Sequence, residues 1–346
     1  MKIRSVSVDG LFYQYDYCLK LNPELTFIHS PNGYGKSIMM HMIYSIFKGD
    51  RESLKEIPFD KMEIEFSDDS ILMVENSNGE IITQVQQNRL VVPVTDEDIE
   101  AFADVIYIPP ERMTVRKKDG HLVNALEYCA QELYETIRRS RDDNILQTVD
   151  YSGAEPLPDS ELEFWCKDLK AKLDFMKDAG FEPVMPSGIR FPPSRYDLID
   201  NRETYEGLAH SISSYVDRDY QLAESIIVFK DIVNSIFINK MIDVTETGRL
   251  VVNMVNGTSL PLSKLSSGET QILLIFYNIL FHSHSEGLVI IDEPEISLHV
   301  SWQQMLGDYF KDICRVRKVQ MLVTTHSPQV IHDKWDLAEE LVQKNA

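Results

Sequence analysis

The 346 residues suffice for one large domain or for a core with a sizeable insert, and 43% hydrophobic and 26% charged residues are ordinary for a soluble globular protein. A formal net charge of −21 argues against coating DNA by bulk attraction, while leaving open a local basic patch or a basic protein partner. No apolar run approaches the ~20 residues of a membrane-spanning helix, so no membrane association is expected. Four scattered cysteines (Cys18, Cys129, Cys166, Cys314) lack metal-ligand spacing and read as small core residues in a reducing cytoplasm.

The N-terminus alternates apolar and polar residues from Ile3 to Val8 and predicts a strand, not a signal peptide. Two more short strands are expected at 17–21 and 25–28, set off by Asp9-Gly10 and Asn22-Pro23. A Gly-rich turn at 30–35 leads into a largely buried helix over 36–47, then β-like alternation over 61–94 with turns at Asp68-Asp69 and Asn78-Gly79. A further strand over 104–109 stops at Pro109-Pro110. From about 119 to 240 the pattern is mainly helical, with Pro-rich breaks at 156–158 and 183–193 and no sustained heptads, and predicts a helical insert or arm. Residues 241–262 return to strands around Asn256-Gly257, and 265–346 alternate helix, strand, helix, strand and helix. The expected organisation is an N-terminal lobe 1–118, an insert 119–240 and a C-terminal lobe 241–346. The two lobes would complete one α/β core.

The strand–turn–helix at 25–47 contains Ser30-Pro31-Asn32-Gly33-Tyr34-Gly35-Lys36-Ser37. Gly35, Lys36 and Ser37 match the end of the phosphate-loop pattern G-x-x-x-x-G-K-[ST] in its required context. Backbone N–H groups of Asn32, Gly33, Tyr34, Gly35, Lys36, Ser37 and Ile38 would face the phosphates. Lys36 would reach the β- and γ-phosphates, and Ser37 would hold Mg²⁺. Ser30 stands where the pattern has its first Gly. A small residue makes that turn if its φ is negative, and Gly33 is an alternative flexible position.

Downstream, Leu265-Ser266-Ser267-Gly268-Glu269 precedes an apolar helix, a sequence that is also a helix cap in its own right. Leu288-Val289-Ile290-Ile291-Asp292-Glu293 describes a buried strand that delivers two carboxylates at its C-terminal edge, where open α/β sheets bind ligands. Asp292 would hold Mg²⁺, directly or through water, and Glu293 would polarise an attacking water. His326 ends another apolar strand, where an imidazole can contact a γ-phosphate or serve structure alone.

In order and spacing these pieces resemble an ABC-type ATPase of the SMC/RecF/OLD-like branch, AAA-family ATPases associated with nucleic-acid maintenance and phage defence. The matching stretches are Walker A at Ser30–Ser37, the signature at Leu265–Glu269, Walker B at Leu288–Asp292 with Glu293 as catalytic carboxylate, a D-loop at Glu295–His299 and the switch histidine His326. The resemblance implies an ABC-ATPase head with a mixed β-sheet core plus a mainly helical insert, using ATP and Mg²⁺. It implies head-to-tail homo-oligomers in which Ser266, Ser267, Gly268 and Glu269 of one copy meet the nucleotide on Lys36 of another. It further implies an ATP-hydrolysing regulator of a separate effector, a nuclease or toxin encoded nearby, in a prokaryotic anti-phage system; the alternative is a RecF/SMC-like DNA-binding ATPase. About twenty residues follow His326, so no appended nuclease is expected.

Other residues are open to two readings. Gln84, Gln86 and Gln87 are placed for the family's magnesium-site glutamine or for a strand surface. Phe12 and Tyr13 suit adenine stacking or core packing. Arg112 suits a phosphate, a dimer partner or a solvated loop. Arg116-Lys117-Lys118 and Arg138-Arg139-Ser140-Arg141 suit DNA, an acidic partner or a solvated face.

Overall fold

A computed structural model describes residues 2–77, 79–116, 120–142 (backbone only at 141 and 142), 146, 157–245 and 247–343. In chain order it contains β1 (Ile3–Leu11), β2 (Tyr15–Lys20), β3 (Leu25–His29), α1 (Lys36–Phe47), α2 (Arg51–Lys55), β4 (Lys61–Phe66), β5 (Ile71–Ser77), β6 (Glu80–Gln87), β7 (Leu90–Pro93), α3 (Asp96–Glu100) and β8 (Val105–Ile108). There follow β9 (Thr114–Arg116), β10 (Leu122–Asn124), α4 (Ala125–Asp142), α5 (Asp159–Asp178), α6 (Arg195–Ile236), β11 (Lys240–Val244), β12 (Leu250–Met254) and β13 (Ser259–Leu260). The remainder is α7 (Ser267–Tyr277), β14 (Leu288–Asp292), α8 (Val300–Arg317), β15 (Gln320–Thr325), α9 (Pro328–Ile331) and β16 (Ala338–Glu340).

The chain divides into two compact units, Met1–Thr114 with Ser266–Ala346, and Val115–Leu265. The first has two sheets. One is five-stranded and wholly parallel, in the order β16-β3-β15-β14-β8. Its central strands β14 and β15 are buried at every residue, which is why they read as unbroken apolar runs. The other is six-stranded and antiparallel, in the order β2-β1-β4-β5-β6-β7. In β4 alternate residues are buried, the period-two pattern of a sheet covered on one face. Parallel and antiparallel pairings are thus segregated between sheets. Met39, Met40, Ile43 and Phe47 of α1 share one apolar cluster with Val6, Val8, Ile64 and Leu72 of the antiparallel sheet and with Ile28, Ile290 and Leu322 of the parallel one. This burial drives the docking of α1.

The second unit contains α4, α5 and α6, with α6 broken at Asn201 (φ −138°, ψ 36°). This unit runs past the expected boundary at 240 to Leu265. Among the described residues, strands β11, β12 and β13 form a meander that pairs within itself, and the Asn234 side chain on α6 brackets the backbone of Ile242 with two hydrogen bonds. Residues 240–260 thus fall in the compact unit Val115–Leu265.

The expected closing helix is a single turn. Ser327 and Pro328 start α9, but His332 adopts a left-handed φ of 51° that stops it. The chain then extends as β16 along the outer edge of β3. Cys129, Cys166 and Cys314 are buried, and burial pushes their thiols up to about 12, 11 and 12. Cys18 departs from expectation and is exposed. Among the described residues no helix is long and apolar enough to cross a membrane.

Candidate active site

The parallel sheet assembles the site by register. Thr325 pairs with His29, so Ser30 and His326 leave adjacent strands side by side. Asp292 pairs with Thr324. Gly35 caps α1 at φ 83°, a left-handed conformation open to glycine without strain, and turns the chain into the helix so that its first amides face outward. An open cleft of about 470 Å³ results, lined by Asn32, Gly33, Gly35, Lys36, Ser37, Ile38, Glu293 and His326. Tyr34 is not in that lining; it is half-exposed, with its ring 6.3 Å from that of Tyr15. Ser30 is not among the residues of positive φ, so it makes the first turn without glycine.

Lys36 is 5% exposed. Its Nζ donates to the Ser30 carbonyl at 2.8 Å, to Ser30 Oγ at 3.1 Å and to the Pro31 carbonyl at 3.3 Å. Burial lowers its pKa, while Glu293, Asp292 and Glu295 oppose that shift. His326 bridges the two sides of the cleft: Nδ1 is 3.4 Å from Lys36 Nζ, and Nε2 is 3.4 Å from Glu293 Oε1. The His326 amide donates to Glu295 Oε1 at 2.7 Å.

Asp292 is fully buried. Its Oδ1 accepts from the Thr324 hydroxyl and its Oδ2 from Tyr107 at 3.1 Å. Burial, with the negative charge of Asp292 beside it, raises the Tyr107 pKa and keeps the phenol a donor. Glu293 sits at φ 45°, a region that costs a non-glycine residue ~1–3 kcal/mol and persists only when neighbours hold it. Its amide donates to the Thr324 carbonyl at 3.1 Å.

The second motif lies elsewhere. Ser266 caps α7, and Glu269 Oε2 accepts from the Ser266 amide at 2.8 Å and from its hydroxyl at 2.9 Å, a reciprocal capping box. Ser266 and Glu269 thus serve each other. Ser267 is exposed at the helix N-terminus, and Gly268 packs so closely that a Cβ there would lie 2.7 Å from the Ser297 carbonyl oxygen. None of Ser266, Ser267, Gly268 or Glu269 lines the cleft around Lys36.

Arg112 is neither a solvated loop residue nor exposed to a partner: it is 5% exposed. It bonds to Gln271 of α7 and to the carbonyls of Pro109, Asp292, Glu293 and Pro294. Tyr107, Thr324 and Gln271 carry no motif; a parallel pairing of the strands at 104–109, 288–292 and 319–325 would have brought Tyr107 and Thr324 forward. Gln84, Gln86 and Gln87 lie on β6 in the antiparallel sheet and do not line the cleft. Phe12 reaches the turn at Gly35, with Cε2 3.9 Å from the Cβ position of Gly35, whereas Tyr13 is 85% exposed. Arg139 lies 3.9 Å from Glu135 along α4. Lys117, Lys118 and the side chain of Arg141 lie outside the described residues.

Comparison with known proteins bears on this arrangement. Residues 195–331 match the family described as the AAA ATPase domain, a stretch that includes Ser266–Glu269, Asp292, Glu293 and His326. Over 88 residues the chain is 39% identical to the Retron Ec83 probable ATPase of Escherichia coli, across 22% of this chain and only 16% of that relative's length. Among solved structures, an Smc head bound to the C-winged helix domain of ScpA aligns over 96% of this chain and 91% of its own, at 11% identity and a TM-score of 0.49. An Smc head domain with an extended coiled coil, bound to the C-terminal domain of ScpA derived from Pyrococcus furiosus, aligns over 95% and 91% at 12% identity and a TM-score of 0.47.

Proposed function

We propose that this chain, which carries an AAA ATPase domain and the motif set of an ABC-type ATPase, binds ATP in the cleft around Lys36 and hydrolyses it at a site completed by a second copy. The cleft supports the first half of this reading. The outward amides of α1 and the Lys36 ammonium suit a polyphosphate. The Ser37 hydroxyl and the Asp292 carboxylate form an all-oxygen donor set, which fits Mg²⁺ shared with phosphates and water. When bound, that ion supplies charge neutralisation at the phosphates. Glu293 orients and polarises the attacking water and accepts its proton, and His326 lies between that carboxylate and Lys36, where it senses a γ-phosphate.

The observation that carries the shared site is the location of the signature. Ser267 is presented at an exposed helix N-terminus, outside the cleft of its own chain, and such an end favours anions. In a head-to-tail pair it faces the nucleotide of the partner. Lys36→Ala and Ser267→Arg chains should each be inactive, and mixing them should restore part of the turnover, because one hybrid site then has both intact halves. No recovery from mixed dimers of two folded variants would count against sharing.

The likeness to a retron ATPase supports a regulator of a separate effector, acting in the cytoplasm in anti-phage defence. The net charge favours a protein partner over bare DNA. Purification from the native operon, with mass spectrometry of what accompanies the chain, tests this. Strong DNA binding by the chain alone, with a steep salt slope, would favour the repair-type alternative.

A further inference from the structure

We propose that Arg112 is a positioning residue that couples the signature helix to the backbone turn bearing Glu293, so that engagement of Ser267 by a partner's nucleotide is transmitted to the carboxylate that drives hydrolysis. This rests on the shared-site reading above.

The geometry is that of a clamp. The Arg112 Nε–H donates to Gln271 Oε1. One terminal nitrogen donates to the carbonyls of Pro109 at 3.0 Å and Asp292 at 3.2 Å, and the other to those of Glu293 and Pro294, both at 3.3 Å. The planar fork of a guanidinium suits this set of acceptors, which a point-like ammonium cannot match. Gln271 is 3% exposed and lies four residues, about one turn, from Ser267 on the same helix face. A shift of the helix N-terminus is therefore carried to Arg112 through a single hydrogen bond.

The receiving end needs to be held. Glu293 occupies a left-handed φ of 45°, tied at its amide to the Thr324 carbonyl and at its carbonyl to Arg112. Loss of the second tie frees the residue to relax toward an ordinary conformation and swing its carboxylate. The turn continues into Glu295, whose carboxylate anchors the His326 amide, so the same clamp bears on both residues facing the γ-phosphate position. Burial lowers the Arg112 pKa to about 10, while Glu295, Asp292 and Glu293 oppose the shift. The group stays charged at neutral pH. A buried cation is a costly way to fix a turn, which favours a coupling role over simple packing.

The test uses the full chain with Gln271→Met, which removes the acceptor at similar length, Gln271→Glu, which keeps it, and Arg112→Lys, which keeps charge without the fork. Thermal midpoint, ATP affinity, and kcat and KM against protein concentration are measured for each. Gln271→Met should melt a few degrees lower, because it leaves one donor of a buried guanidinium unpaired, and bind ATP within about threefold, yet lose at least about tenfold in kcat with KM little changed, together with the rise of turnover with concentration. Gln271→Glu should recover both, and Arg112→Lys should behave as Gln271→Met. Wild-type kcat in Gln271→Met, or a Gln271→Glu variant as slow as Gln271→Met, overturns the coupling. Parallel loss of melting temperature and ATP binding in Gln271→Met also overturns it, because the pair is then only a packing pin. If wild-type turnover per chain ignores protein concentration and the Lys36→Ala and Ser267→Arg mixture stays inactive, the shared site fails and the proposal falls with it. If wild type passes both tests and Gln271→Met is unaffected, only the coupling falls.

Discussion

Asp292 shows how much of a site depends on residues that carry no motif. A fully buried carboxylate needs donors, and the structure supplies two hydroxyls, Thr324 and Tyr107, one from each neighbouring strand. Tyr107→Phe removes one of them. Leaving a buried acceptor short of a partner should cost ~1–3 kcal/mol, read as a lower midpoint in urea. Turnover should fall by on the order of tenfold, with the Gly35–Ser37 loop still binding nucleotide. Unchanged stability in this variant would mean that Thr324 alone satisfies Asp292. The local runs Gly35-Lys36-Ser37 and Asp292-Glu293 stand out in the sequence because a phosphate-loop pattern and a strand-end acid pair each announce themselves within a few residues. Arg112 does not. Nothing near it in sequence signals burial, and its partners Gln271 and Glu293 meet it only after folding.

At the level of elements, the sequence indicated most strands and helices but not how the strands partition. Apolar runs at 288–292 and 320–325 and alternation at 61–66 report burial on two faces or one, yet they do not say that parallel and antiparallel pairs occupy separate sheets. The strand at 338–340 was illegible because three residues carry no period, and it exists only because β3 offers an edge. Helix α7 makes a sharper prediction. Gly268 lies against the Ser297 carbonyl with no room for a Cβ, and Ser297 itself has a left-handed φ of 64°. Gly268→Ala must push α7 away from that loop, at ~1–3 kcal/mol of overpacking. The expected outcome is a lower melting temperature together with loss of ATP-induced association, measured by light scattering. An alanine variant that still associates would show that the contact between α7 and residue 297 does not shape the signature.

For the whole molecule, the proposed shared site requires two copies to approach while each carries a formal net charge of −21. Long-range repulsion slows such encounters at low ionic strength and is screened as salt rises, over a Debye length of roughly 10 Å at 0.1 M. A Glu293→Gln chain should bind ATP without turning it over and accumulate as an assembled species. Its association rate should increase as salt is raised from low to physiological levels. Wild-type turnover in Glu293→Gln would remove that carboxylate from its role, and an association rate that falls with salt would point to local charge attraction across the interface.

The pairing of β3 has a consequence for how the protein is made. This strand carries the chain into the loop before Lys36, yet both its neighbours in the sheet, residues 320–325 and 338–340, are synthesised long after it. A ribosome that has passed Ser37 has translated β3 and the full loop but neither of the strands that flank β3 in its sheet. Contacts this distant along the chain form slowly. On the proposed reading, nucleotide capture should begin only once the downstream strands have arrived, and a chain that stops before residue 320 should bind no ATP through that loop.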